Sequence, residues 1–170
     1  MRTTTGKLTA TATVLAAALG GGLTQASAAA TGSPEEPRPS SCRPANHTAR
    51  ITQDASSAGH SHYRVTLTAA PGYERCTLAG SPVEVQFSHN GVPISLPTGS
   101  YGDQDVPVRF GPGHPAHFDI QVPDQLPTIP ADEATFTLST PTGQIPGDSA
   151  ASGKLRITEG TVIGPVVAGA

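Results

Sequence analysis

Tryptophan is absent from this 170-residue chain, methionine occurs once, and aromatic residues make up 4% of it. A sugar-binding module built on Trp or Tyr platforms is therefore not expected. Charge is scarce as well. Asp, Glu, Lys and Arg together reach 14%, well below the usual quarter. The net charge of −3 supplies no basic field for a nucleic-acid partner. The Glu, Lys, Leu and Arg richness of a coiled coil is missing. After the N-terminus no run of 18 apolar residues occurs, so no membrane span is expected. Cysteine occurs only at Cys42 and Cys76, without the C-x-x-C spacing of a redox or zinc motif.

What is abundant is glycine, with 19 residues, and proline, with 17. These are the punctuation of a chain that turns often. The N-terminus reads as an export signal. Arg2 and Lys7 form a charged start, Leu8 to Leu23 is apolar and small, and Ala26-Ser27-Ala28 offers small residues at the −3 and −1 places of a cleavage site. Residues 1–28 are thus expected to be removed. Losing Arg2 and Lys7 takes the charge from −3 to −5. Cys42 lies far from the apolar run and lacks a lipobox, so a released, secreted extracellular protein is expected rather than a lipid-anchored one. An even cysteine count in an exported chain reads as a disulfide, here Cys42 with Cys76.

Residues 29–41 are rich in Pro, Ser and Glu and read as a disordered leader. From Cys42 the pattern changes. Tyr63, Val65 and Leu67 alternate with Arg64, Thr66 and Thr68. Val83, Val85 and Phe87 alternate with Glu84, Gln86 and Ser88. Phe118, Ile120 and Val122 alternate with polar neighbours, as do Phe136 and Leu138. Period-two runs of this kind are half-buried strands with the apolar residues inward. Asn90-Gly91 between two runs is a hairpin signal. Pro93 and Pro107 place their strands at sheet edges. The expected fold is all-β, an immunoglobulin-like antiparallel β-sandwich over residues 42–159, followed by a C-terminal tail at 160–170.

The order of these features resembles a family of secreted actinobacterial domains, domain-of-unknown-function family 4232. The resemblance rests on Cys42, the strand from Gly59 to Leu67, Cys76-Thr77-Leu78-Ala79-Gly80-Ser81-Pro82, the strand Val83 to Phe87, the Asn90-Gly91 turn, and Gly111-Pro112-Gly113-His114 leading to Phe118. It implies an extracellular immunoglobulin-like sandwich and implies no activity.

Candidates for chemistry are few. His60 and His62, two apart on one strand, share a face, and His114 and His117 could add metal ligands from elsewhere. Arg64 and Thr66 on the same face mark it as the solvent side, and a neighbouring cation opposes a metal. No metal or other cofactor is therefore expected. Asp103 and Asp105 lack the remainder of a calcium loop. No G-x-S-x-G, S-x-x-K or H-E-x-x-H occurs, so no catalytic residue is assigned. The function expected is a non-catalytic extracellular binding or surface module. Its partner would be an extracellular protein or a cell-envelope component, met at an edge strand. The alternatives are a metal-binding accessory protein using the histidines, or a hydrolase with an unusual site at His60, His62, Asp103 and Asp105.

Overall fold

Alternation of apolar and polar residues sends successive side chains to opposite faces, so a chain of such runs can bury one face only by curling a sheet around it. The computed structural model describes residues 38–124 and 127–170, and there the protein is all-β. The expected signal segment at 1–28 and residues 29–37 of the expected leader lie outside the described residues.

After a single 3-10 turn at Pro44–Asn46, the strands are β1 (His47–Gln53), β2 (His60–Ala69), β3 (Cys76–Ala79), β4 (Val83–His89) and β5 (Val92–Ile94). Next come β6 (Gly99–Ser100), β7 (Pro107–Phe110), β8 (Ala116–Pro123), β9 (Ile129–Thr137) and β10 (Ser139–Thr140). The last are β11 (Gly143–Gln144), β12 (Ser149–Ile157), β13 (Val162–Ile163) and β14 (Val167–Ala168). Nine strands form one path, β5-β4-β9-β12-β1-β2-β8-β13-β6, with β14 joined to β8; β3 pairs with β7, and β10 with β11. No helix among the described residues is long and apolar enough to cross a membrane.

The sheet curls into a half-barrel around an aliphatic and phenylalanine core. Phe87, Phe110, Phe118 and Phe136 are all fully buried. Phe118 of β8 meets Phe136 of β9 edge to face, with ring centroids 5.0 Å apart. Three strands separate β8 from β9 along the sheet, so only a sheet folded back on itself brings these rings together. Each buried ring contributes about 1.5–3 kcal/mol of transfer free energy. Tyr63, Val65, Leu67, Phe87, Ile120 and Val122 are buried as their alternation predicts. Asn90 and Gly91 both take positive φ, 51° and 75°, in the hairpin between β4 and β5. Pro93 lies on β5 at the end of the path. Pro107 lies on β7, which pairs with β3 alone.

Four expectations need correction. The sheet is mixed rather than antiparallel, because β1 runs parallel to β12 and β13 parallel to β6. Val83 and Val85 are only half-buried. A β-bulge between Val83 and Gln86, with Glu84 at φ 53°, shifts the register on β9 there, while burial still alternates. Residues 160–170 are no tail: β13 and β14 both add to the edge of β8. The end of the leader is also held. Ser41 donates its N–H to the Glu74 carbonyl, and Glu74 donates to that of Pro39, at 2.8 and 3.0 Å.

Cys42 and Cys76 are joined, with Cα atoms 5.9 Å apart and a sequence separation of 34. The bond ties the approach to β1 to the start of β3. In the chain-entropy account a loop of that size is worth roughly 4 kcal/mol. A disulfide-bonded all-β domain fits an oxidising, extracellular setting.

Gly153 sits in a second bulge, between Ser152 and Leu155 of β12. A side chain there would strike the backbone of Ile51 in β1. Glycine is what lets β1 lie beside β12.

Candidate functional site

The outward face of the β2–β8 ladder carries most of the chemistry-bearing side chains. Register places Arg64 opposite Asp119, His62 opposite Gln121, and Thr66 opposite His117. His62 and Asp119 are therefore diagonal neighbours, within reach of long side chains. His62 Nδ1 stands 2.7 Å from Asp119 Oδ2, and the two side chains keep 16% and 28% of full exposure. They are shielded yet still reachable.

Two loops complete the site. The turn between β1 and β2 is Ser57-Ala58-Gly59-His60, in which Ser57 and His60 exchange backbone hydrogen bonds at 3.0 and 2.9 Å. Ala58 and Gly59 both take positive φ, 46° and 81°, which suits a two-residue hairpin. The turn sets Ser57 Oγ 2.9 Å from His62 Nε2. From the other side Tyr101, just after β6, donates its hydroxyl to Asp119 Oδ2 at 2.9 Å. Burial first, and then that bond, push the Tyr101 phenol well above its ordinary value. Gly164 lies beneath the ring, where a Cβ would stand 2.8 Å from the Tyr101 oxygen.

Protonation follows from partners. A carboxylate only accepts, so in neutral His62 the nitrogen facing Asp119 carries the hydrogen. Nε2 is then left to accept from the Ser57 hydroxyl. The result is a hydrogen-bonded chain, Ser57–His62–Asp119, steadied by Tyr101. Beside it Arg64 bonds Asp54 Oδ2, with Nη2 at 2.7 Å and Nε at 3.0 Å. The Ala55 N–H, and after it Arg64, hold the Asp54 carboxyl below its ordinary value. These groups and His117 line a cleft of about 240 Å³.

The four histidines considered as metal ligands do not converge. His60 Nδ1 lies 3.3 Å from the Ala58 carbonyl. His114 sits in the turn it closes with Gly111. His117 Nδ1 lies 3.0 Å from the Gly169 carbonyl. Only His62 and His117 share the cleft. Among the described residues no three His, Cys, Asp or Glu side chains gather as a metal site would require. Asp103 and Asp105 are exposed in a separate loop, where Asp103 accepts the Asp105 N–H at 3.0 Å. Asp105 lines a different cleft with Gln104 and Ser81, so the site His60, His62, Asp103 and Asp105 is not assembled.

Ser57, Tyr101 and Asp119 were missed from the sequence because no short motif joins them. Positions 57 and 62 meet through the β1–β2 turn, and 62 and 119 only through the register of β2 on β8. Period-two alternation did place His62 and Arg64 on one outward face, and the same rule puts His117 and Asp119 together. What it lacked was the pairing.

A curled all-β domain with one disulfide and a polar cleft is the class this geometry defines. The model of the family described as "Domain of unknown function (DUF4232)" matches residues 42–166, and the chain belongs to that family. No curated protein and no solved structure matches the chain.

Proposed function

We propose that the chain is an exported, extracellular binding module, and that its binding surface is the polar cleft over β2 and β8. The observation that carries this is convergence: Ser57, His62, Arg64, Asp54, His117 and Asp119 come from two strands and the β1–β2 connection to line one cleft. A few convergent polar groups in a concavity are what orient a ligand. Export is supported by the charged start, apolar run and Ala26-Ser27-Ala28 of the N-terminus, and by the disulfide. The partner is an extracellular protein or a cell-envelope component that offers both donors and acceptors. The edge strand β5 is the poorer site, because Pro93 removes a donor from it.

The finer fold reading is an immunoglobulin-like sandwich whose two halves are joined where β1 pairs with β12. β1, β2 and β8 correspond in order to A, B and E. β4, β9 and β12 correspond to C, F and G, with β5 as the added strand of a variable-type sheet.

Two measurements test the proposal. Intact-mass analysis of culture medium should find a chain that begins at Ala29. Capture from the cell envelope should recover a partner with the wild-type protein and lose it with Arg64→Ala plus His117→Ala. The same partner held equally by that variant would place the binding surface elsewhere.

A further inference from the structure

We infer that Ser57 is a nucleophile for acyl transfer, and that the cleft cleaves carboxylic esters of short, acetyl-sized acyl groups. The inference rests on the cleft being the binding surface and names the substrate class it takes. Three observations point to it. Ser57 Oγ is 2.9 Å from a ring nitrogen of His62, and the other ring nitrogen is 2.7 Å from Asp119. These are the nucleophile–base and base–orienter bonds of a catalytic triad, recognised by geometry and not by position in the chain. Secondly, the carboxylate is itself held, by Tyr101, at 2.9 Å. Thirdly, the serine sits at the head of a turn whose next residue, Ala58, has a positive φ of 46°.

The Ser57 N–H is used by the His60 carbonyl, whereas that of Ala58 makes no backbone hydrogen bond among the described residues. It directly follows the nucleophile, the usual place of one oxyanion donor. Beyond its chain neighbours, no atom lies within 4 Å of where a Gly59 Cβ would stand. The cleft's 240 Å³ is small for a drug-sized ligand and suits a short acyl group.

The steps balance. Ser57 Oγ adds to the ester carbonyl carbon as its proton passes to His62 Nε2, and Asp119 keeps the imidazolium in place. The tetrahedral adduct expels the alkoxide, which takes that proton and leaves as the alcohol. A water then gives a proton to His62 and adds to the acyl-Ser57 carbonyl. Collapse returns the serine, with its proton back from His62, and releases the carboxylic acid. Ester and water become acid and alcohol, with no other reactant.

The test treats the secreted protein, disulfide intact, with p-nitrophenyl acetate and separately with a fluorophosphonate, and maps adducts by mass spectrometry. A single adduct at Ser57 is expected, together with turnover of the ester. Ser57→Ala, an exposed change that leaves the fold intact, should abolish both. His62→Ala should slow labelling roughly hundredfold or more, the ordinary worth of a general base, and added imidazole should restore part of it. Adducts scattered over exposed serines such as Ser56 and Ser100, or Ser57 labelling unchanged by His62→Ala, would overturn the inference. Partner capture by a protein that shows no Ser57 chemistry would also overturn it, while leaving the binding reading in place.

Discussion

Two ladders on opposite halves of the sheet, β2 with β8 and β4 with β9, begin from the same alternating pattern and end differently. Between β2 and β8, eight residue pairs run from His60 opposite Pro123 to Leu67 opposite Ala116 without a shift. Between β4 and β9 the register slips by one residue after Val83. On the unbroken ladder one face is core, with Tyr63, Val65, Phe118 and Ile120 buried, and the other is wholly free to carry the His62 and Asp119 rows. On the bulged ladder Val83 and Val85 are neither buried nor exposed, and Glu84 takes an unusual φ. A bulge trades strict two-sidedness for bend and twist. Chemistry sits where the register is unbroken, and curvature where it is not.

The largest expected effect comes from the ring that joins the two halves. Phe118→Ala removes a buried ring and its edge contact with Phe136, and should cost about 3–5 kcal/mol in urea unfolding. A loss under about 1 kcal/mol would mean the halves do not share a core. Cys76→Ala opens the loop beside both ladders and should cost roughly 2–5 kcal/mol. It should leave the difference between the ladders untouched, which amide hydrogen exchange resolves strand by strand.

A matched pair sharpens the comparison further. Val65→Ala on the regular ladder empties a fully buried site, for about 2–3 kcal/mol. Val85→Ala beside the bulge should cost about 1 kcal/mol, as only part of the side chain is withdrawn from water. Equal costs would show the bulge to be tighter than its exposure suggests.

The smallest effect concerns the joint. His47 of β1 is buried, with Nδ1 3.0 Å from the Ser41 carbonyl and Nε2 3.0 Å from Ser149 Oγ of β12. Burial lowers its proton affinity below the ordinary 6.5, against the smaller opposing pull of the Ser41 and Arg43 backbone. The unfolded chain therefore binds the proton first as pH falls. The contribution is complete above about pH 6.5 and is lost as pH drops toward the lower, folded value. Urea midpoints measured downward from neutral pH should fall, and His47→Gln should flatten that fall. A midpoint that rises on acidification would reverse the assignment.

The comparison also shows what could be read from residues alone. Strict alternation named the core of β2 and β8. Asn90-Gly91 named its hairpin, and the two cysteines named their bond. The bulges were hidden because Val83-Glu84-Val85 alternates as well as any strand, and the slip exists only against β9. β12 was largely hidden because Ser149-Ala150-Ala151-Ser152-Gly153 has too little bulk to look like a strand. Small residues there are what a crowded centre demands, with Ala151 fully buried and Gly153 under Ile51. The Ser57–His62–Asp119 chain stayed hidden because side chains 57 positions apart meet through pairing that no local pattern records.

The parallel seat of β1 against β12 has a consequence in time. Ala49 and Arg50 are made early, and their partners Ala151 and Ser152 about a hundred residues later. At ribosomal speed of roughly 5–20 residues per second, β1 waits several seconds for its neighbour. Pairing of such sequence-distant segments is slow even once both exist. The parallel side of β1 thus stays unpaired until residues 149–157 have been made.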